Sequence, residues 1–198
     1  MGHSVHLIIG KGSAITAFLM QWPAARAVDL RGSWQAIPVD EVLYVAIEAK
    51  YPGAIRPSGL GASPLGLSEA LAEATAQGGG LAYVETDYFG GTGGQAAIAF
   101  VEAHEVVAPQ TAKGSGPINQ ALRRIGVTRA EADDEFDTIG LGERRTMTDY
   151  EPEGPVRLRG ETVLARPEQA AQRFIPMWVV MLVIAAAVGV ATMVSVAR

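Results

Sequence analysis

Cysteine is missing from this 198-residue chain. Its absence excludes disulfides, thiolate nucleophiles and cysteine-ligated metals, and is compatible with a reducing compartment. Histidine is scarce. His3, His6 and His104 form neither a His-x-x-x-His nor a His-Glu-x-x-His spacing, so no metal site and no cofactor is expected. His104 is the one plausible base within the middle of the domain, and no Ser-His-Asp arrangement can be argued around it. A basic stripe is missing too. Residues 1–150 carry 11 Lys+Arg against 17 Asp+Glu. Arg123–Arg124 and Arg144–Arg145 stand as isolated pairs. Phosphate backbones are bound by clustered Lys/Arg, so nucleic acid is not an expected partner.

The chain does have one long apolar run. From Pro176 to Ala197 there is no charged residue, and Arg173 and Arg198 bracket it. About 20 helical residues cross a hydrocarbon core of about 30 Å. The run is therefore expected to be a transmembrane helix over 175–197, with Trp178 at one interface. Arg157, Arg159, Arg166 and Arg173 precede it, while only Arg198 follows. The positive-inside rule then places the N-terminal domain in the cytoplasm, on an inner membrane. Val5–Ile9 is cut by Gly10-Lys11-Gly12 and no basic n-region precedes it, so a secretory signal is not expected there. The anchor is expected at the tail, with the bilayer as one partner.

Residues 1–142 read as one globular domain and 143–174, polar and with Pro152, Pro155 and Pro167, as a flexible linker. Val5–Ile9 is a short strand. Ser13 is expected to cap a helix to Trp22, whose Ile15, Phe18, Leu19 and Trp22 keep helical spacing. Gln35–Val39 is a second strand. Asp40 is an N-cap for Glu41–Lys50, with Val42, Val45, Ala46 and Ala49 as the inward face. Residues 52–66 hold three prolines and four glycines and form a loop. A helix follows from Ser68 to Gln77. Leu81–Phe89 alternates like a strand and returns after Gly90–Gly94 as Gln95–Glu102, with Glu105–Ala108 pairing further. Pro117 opens a helix that Gly126 ends. The fold class is therefore α/β or α+β, a sheet covered by helices.

Three places could carry chemistry. Gly10-Lys11-Gly12-Ser13 lies between a strand and a helix, but Ile15 and Val5 break the dinucleotide and P-loop spacings, so a plain turn is expected. Glu85 and Asp87 share a strand face. With Asp133, Asp134, Glu135 and Asp137 they could hold a hard cation or act as an acid/base pair. The most distinctive stretch runs from Tyr83 to Gln95. There Tyr83, Glu85, Asp87, Tyr88, Phe89 and Gln95 mix aromatics, carboxylates and an amide around a glycine loop, which suits a protein-binding surface.

Tyr83-Val-Glu-Thr-Asp-Tyr-Phe-Gly-Gly91 with Gln95, Leu122-Arg-Arg-Ile-Gly-Val127 and Asp134-Glu-Phe-Asp-Thr-Ile-Gly-Leu-Gly142 resemble a pattern shared by a group of bacterial proteins with no assigned activity. The resemblance spans residues 5–145. It implies a bacterial source and transfers no catalytic residue. The expected function is a tail-anchored membrane protein whose cytoplasmic domain binds a protein partner, with an accessory or immunity role in that class. The alternative is a membrane-tethered metal-dependent hydrolase or nucleotide-binding enzyme built on Glu85, Asp87 and the 133–137 carboxylates.

Overall fold

The computed structural model describes residues 2–89, 92–112, 116–130 and 134–151. The apolar run 175–197, and the 143–174 stretch beyond Glu151, lie outside them. Among the described residues no helix is long and apolar enough to cross a membrane.

Leu7, Ile8 and Ile9 are consecutive and all fully buried. Side chains alternate across a strand, so a continuous apolar run means that both faces are covered. That strand, β1 (His3–Gly10), accordingly sits inside the sheet. Helix α1 (Gly12–Gln21) follows, then β2 (Val28–Asp29), β3 (Gln35–Pro38), α2 (Glu41–Lys50) and α3 (Leu67–Thr75). Strands β4 (Gly80–Phe89), β5 (Thr92–Val101) and β6 (His104–Ala112) make a meander, and α4 (Pro117–Arg124) and a single turn α5 (Glu135–Thr138) come next. Two 3₁₀ turns, Leu141–Glu143 and Met147–Tyr150, close the described chain. The six strands lie in the order β2-β3-β1-β4-β5-β6. Every neighbouring pair is antiparallel. The fold is a single α+β domain.

Register explains the two cores. Ile37, Ile8, Tyr83 and Ile98 stand opposite one another across four strands. They meet Ile15 and Phe18 of α1, Leu43 and Ile47 of α2, and Leu67 and Leu71 of α3. One residue along, Ala36, Ile9, Ala82 and Ala99 are aligned on the other face. The small alanines of that row let α4 lie close with Ile118, Ala121 and Leu122, and Leu141 and Tyr150 complete that layer. Each fully buried Leu, Ile or Phe contributes about 1.5–3 kcal/mol of transfer free energy.

The sheet edges are blunt. β2 has only two residues. β6 carries Pro109, which cannot donate to a ladder, and its pairing with β5 is irregular between Ala97 and Phe100.

Four expectations need correction. In α2 the inward residues are Leu43 and Ile47, while Val42 and Val45 are 62% and 58% exposed. Of the expected face, Ala46 packs partly buried against the core, while Val42, Val45 and Ala49 are exposed. Asp40 does cap α2, its carboxylate accepting the Leu43 N–H at 2.9 Å. Ser13 does not cap α1. That helix begins at Gly12, and the Ser13 hydroxyl donates to the Gly78 carbonyl instead. Strand β2 was not expected at all. Finally, residues 143–151 belong to the fold. The Ser4 N–H donates to the Arg145 carbonyl at 2.7 Å, Thr146 bridges Ser4, and Tyr150 is fully buried.

Candidate functional site

At the β4–β5 hairpin end of the sheet Asp87, Phe89, Thr92 and Gly93 are exposed. Strand parity sorts its residues. Tyr83, Glu85, Asp87 and Phe89 belong to the face of α1–α3, whereas Thr86, Tyr88 and Gln95 belong to the face of α4. The residues expected to form one partner surface are therefore divided between two concavities.

On the α1–α3 face Tyr83 is wholly inside the core. Burial pushes its phenol well above the ordinary range, and the neighbouring Glu85 carboxylate adds to this. Its hydroxyl donates to Glu85 Oε2 at 3.1 Å. Glu85 also accepts the Gly61 N–H at 2.7 Å and the Ala62 N–H at 3.1 Å. This carboxylate thus clamps the proline- and glycine-rich loop 52–66 onto the strand. Arg56 reinforces the loop by donating to Tyr44 Oη at 2.6 Å and to the Gly61 carbonyl at 3.3 Å.

Beyond the clamp lies an open groove of about 910 Å³, with Ser4, His6 and Asp87 over a floor that includes Gly94, Ala96 and Thr111. The small floor residues leave room for side chains from another molecule. Among the described residues the Asp87 carboxylate and the His6 ring have no hydrogen-bond or ionic partner; the backbone of His6 is tied to Val39 and Met147. Phe89, at the end of β4, is 83% exposed. Gly93 sits opposite Tyr88 with φ +144°, and a Cβ there would lie 1.9 Å from the Asp87 carbonyl oxygen. Glycine is required to bring the hairpin strands together at that point. Gly90 and Gly91 lie outside the described residues.

On the α4 face a narrower cavity of about 350 Å³ is walled by His3, Tyr88, Ile118, Asn119, Asp134 and Phe136. Gln95 Nε2 donates to Tyr88 Oη at 3.2 Å, and its Oε1 accepts the Ile118 N–H at 3.4 Å. His3 Nδ1 lies 2.7 Å from Thr86 Oγ1, and its Nε2 is 3.4 Å from the Leu141 carbonyl. A carbonyl only accepts, so this network assigns the hydrogen to Nε2 and makes Nδ1 the acceptor of the Thr86 hydroxyl. Burial lowers the His3 pKa, with the Leu141 carbonyl opposing in part. The ring of Phe136 is 5.5 Å from that of His3.

The second acidic group is committed to structure. Asp134 caps α5 by accepting the Asp137 N–H at 2.9 Å, and also accepts from Asn119 Nδ2 at 2.8 Å. The Phe136 N–H in turn donates to Asn119 Oδ1 at 2.9 Å. Glu135, its side chain only 4% exposed, pairs with Arg123 Nε at 2.9 Å, and that hydrogen bond holds its pKa below the usual carboxylate range. Asp133 lies outside the described residues. Glu85 and Asp87 therefore face one side of the sheet and Asp134 and Glu135 the other. They do not make the joint carboxylate site that the hydrolase alternative needs. Among the described residues no group of three or more His, Asp or Glu could hold a metal ion. The Gly10–Ser13 turn is also engaged internally, since Lys11 Nζ sits 4.4 Å over the Trp34 ring.

Sequence reasoning missed His3, Asn119 and Phe136. They come from β1, α4 and α5, more than a hundred positions apart for the outermost pair. No local pattern announces such a convergence. Comparison with protein-family models, with curated proteins and with solved structures finds no match to this chain.

Proposed function

We propose that this is a membrane-tethered binding domain that holds a positively charged segment of a partner protein in the groove beside β4 and β5. The observation that carries the reading is the groove at this end of the sheet, where, among the described residues, the Asp87 carboxylate and the His6 ring have no hydrogen-bond or ionic partner and Gly94 and Ala96 share the lining, and Phe89 is exposed at the hairpin. A lone carboxylate favours a Lys or Arg side chain, and an exposed aromatic is a common anchor in interfaces. Strand addition is a poor alternative mode, because Pro109 and the irregular β5–β6 pairing spoil the outer edge. The apolar run 176–197 supports the tether, and the arginines preceding it support a cytoplasmic domain. An accessory or immunity role at a bacterial inner membrane fits this class.

The test is photo-crosslinking of the full chain in its native membrane. A crosslinker replacing Phe89 is expected to give a discrete adduct. One replacing Met20, which is 78% exposed on α1, serves as the control. The Phe89 adduct should disappear with Asp87→Lys. Equal adducts at both positions, or an adduct indifferent to Asp87→Lys, would sink the reading.

A further inference from the structure

The α4 face carries a second, independent feature. The 350 Å³ cavity is of the size that takes a small organic ligand. Its walls are the rings of Phe136, His3 and Tyr88, which suits a flat aromatic group. At its edge the Asn119 carbonyl is locked by the Phe136 N–H, and one amide hydrogen goes to Asp134. Among the described residues the second amide hydrogen has no acceptor and remains to donate. The Asp134 carboxylate accepts from Asn119 and the Asp137 N–H, and a carboxylate has about four acceptor positions. A donor and an acceptor thus stand side by side. Their complement is a ring nitrogen acceptor next to an exocyclic amino group, the edge that adenine and cytosine share.

Asn119 and Asp134 also line a neighbouring cavity of about 770 Å³, whose other walls include Arg123, Arg124 and Arg129. Arg123 is engaged by Glu135. Arg124 and Arg129 are exposed, and among the described residues neither is in an ion pair, although the charge of Arg129 reaches Glu135, which also lines this cavity. Guanidinium groups bind phosphate through a planar fork of N–H donors. The geometry points to one bipartite site for an adenine or cytosine nucleotide, with the base against Phe136, His3 and Tyr88 and bonded to Asn119 and Asp134, and the phosphate on Arg124 and Arg129. This goes beyond the partner-binding reading, since it uses the opposite face of the sheet and shares only Thr86 and Gln95 with the lining of the groove.

Calorimetric titration of the full chain in detergent with AMP, CMP, UMP and adenosine tests it. AMP and CMP should bind. UMP, whose ring presents N–H where the others present a bare nitrogen, should bind at least tenfold more weakly. Adenosine should also lose at least tenfold, and so should AMP against Arg124→Gln/Arg129→Gln, a pair of surface changes that leaves the core intact. Added salt should weaken AMP binding. No heat from AMP at millimolar concentration overturns the proposal. So does UMP or adenosine matching AMP, or undiminished AMP binding by the arginine variant.

Discussion

Removing the Glu85 carboxylate should do more damage through Tyr83 than through the loop it holds. Three hydrogen bonds end on this side chain, from the Tyr83 hydroxyl and from the Gly61 and Ala62 N–H groups. Gly61 is exposed, so water replaces much of what Glu85→Ala removes there, and the two loop bonds together are worth about 1–2 kcal/mol. Tyr83 is fully buried. Its hydroxyl would be stranded away from water, at a cost of about 1–3 kcal/mol. Glu85→Ala should therefore cost about 3 kcal/mol, and Tyr83→Phe alone about 1 kcal/mol. The double variant should be more stable than the sum of the two by about 1–2 kcal/mol, because the stranded hydroxyl is gone. Urea denaturation of the full chain in detergent, followed by tryptophan fluorescence, measures all four corners of the cycle. A coupling under about 0.3 kcal/mol, the level of ordinary additivity, would refute the bond between the buried Tyr83 hydroxyl and Glu85.

Other outcomes follow from the same structure. Gly93→Ala drives a Cβ against the Asp87 carbonyl; it should destabilise by at least about 1–3 kcal/mol, visible as a lower Tm, and abolish crosslinking from position 89. In α2, Leu43→Ala or Ile47→Ala should cost about 2–5 kcal/mol, whereas Val42→Lys and Val45→Lys should stay within about 0.5 kcal/mol of the parent in urea denaturation. Acid should act in two stages. The His3 pKa is lowered from 6.5 by burial, so the unfolded chain binds the extra proton and stability begins to fall as pH drops below that value. The Glu135 pKa is lowered from 4.5 by its hydrogen bond to Arg123, so its contribution is present above 4.5 and disappears as pH falls further. In a series of denaturation curves, His3→Asn should remove the upper stage and Arg123→Gln should flatten the lower one.

The β4–β5 hairpin was legible because its pattern is local: alternating side chains, then glycines, then a return strand. Placing Glu85 and Asp87 together was equally a matter of parity, and the structure keeps them on one side. Tyr88 and Gln95 fall on the other side by the same rule, so treating the whole segment as one surface ignored the sheet's two faces. In α2 several phases of the apolar pattern are compatible with a helix. Valine is as apolar as leucine in such a count, and only tertiary packing selects Leu43 and Ile47. Residues 143–151 looked like linker because two short 3₁₀ turns carry no periodicity. Met147 and Tyr150 are the apolar residues in that stretch, and their packing depends on a strand laid down at the opposite end of the sequence.

The bond between Ser4 and Arg145, with the bridge to Thr146 beside it, places the two ends of the folded unit against each other. Such a unit is a ring in all but covalent connection, and rings can be reopened elsewhere. Joining the region before Ser4 to that after Glu151, and cutting at the turn between α3 and β4, where Gln77 and Gly79 are exposed, keeps every strand in its place in the sheet. The permuted domain would retain the groove and the α4-face cavity. Whatever is then attached to its new terminus, including the apolar tail, would leave from a different corner of the domain. The groove and the point from which the rest of the chain leaves the domain could in that way be varied independently.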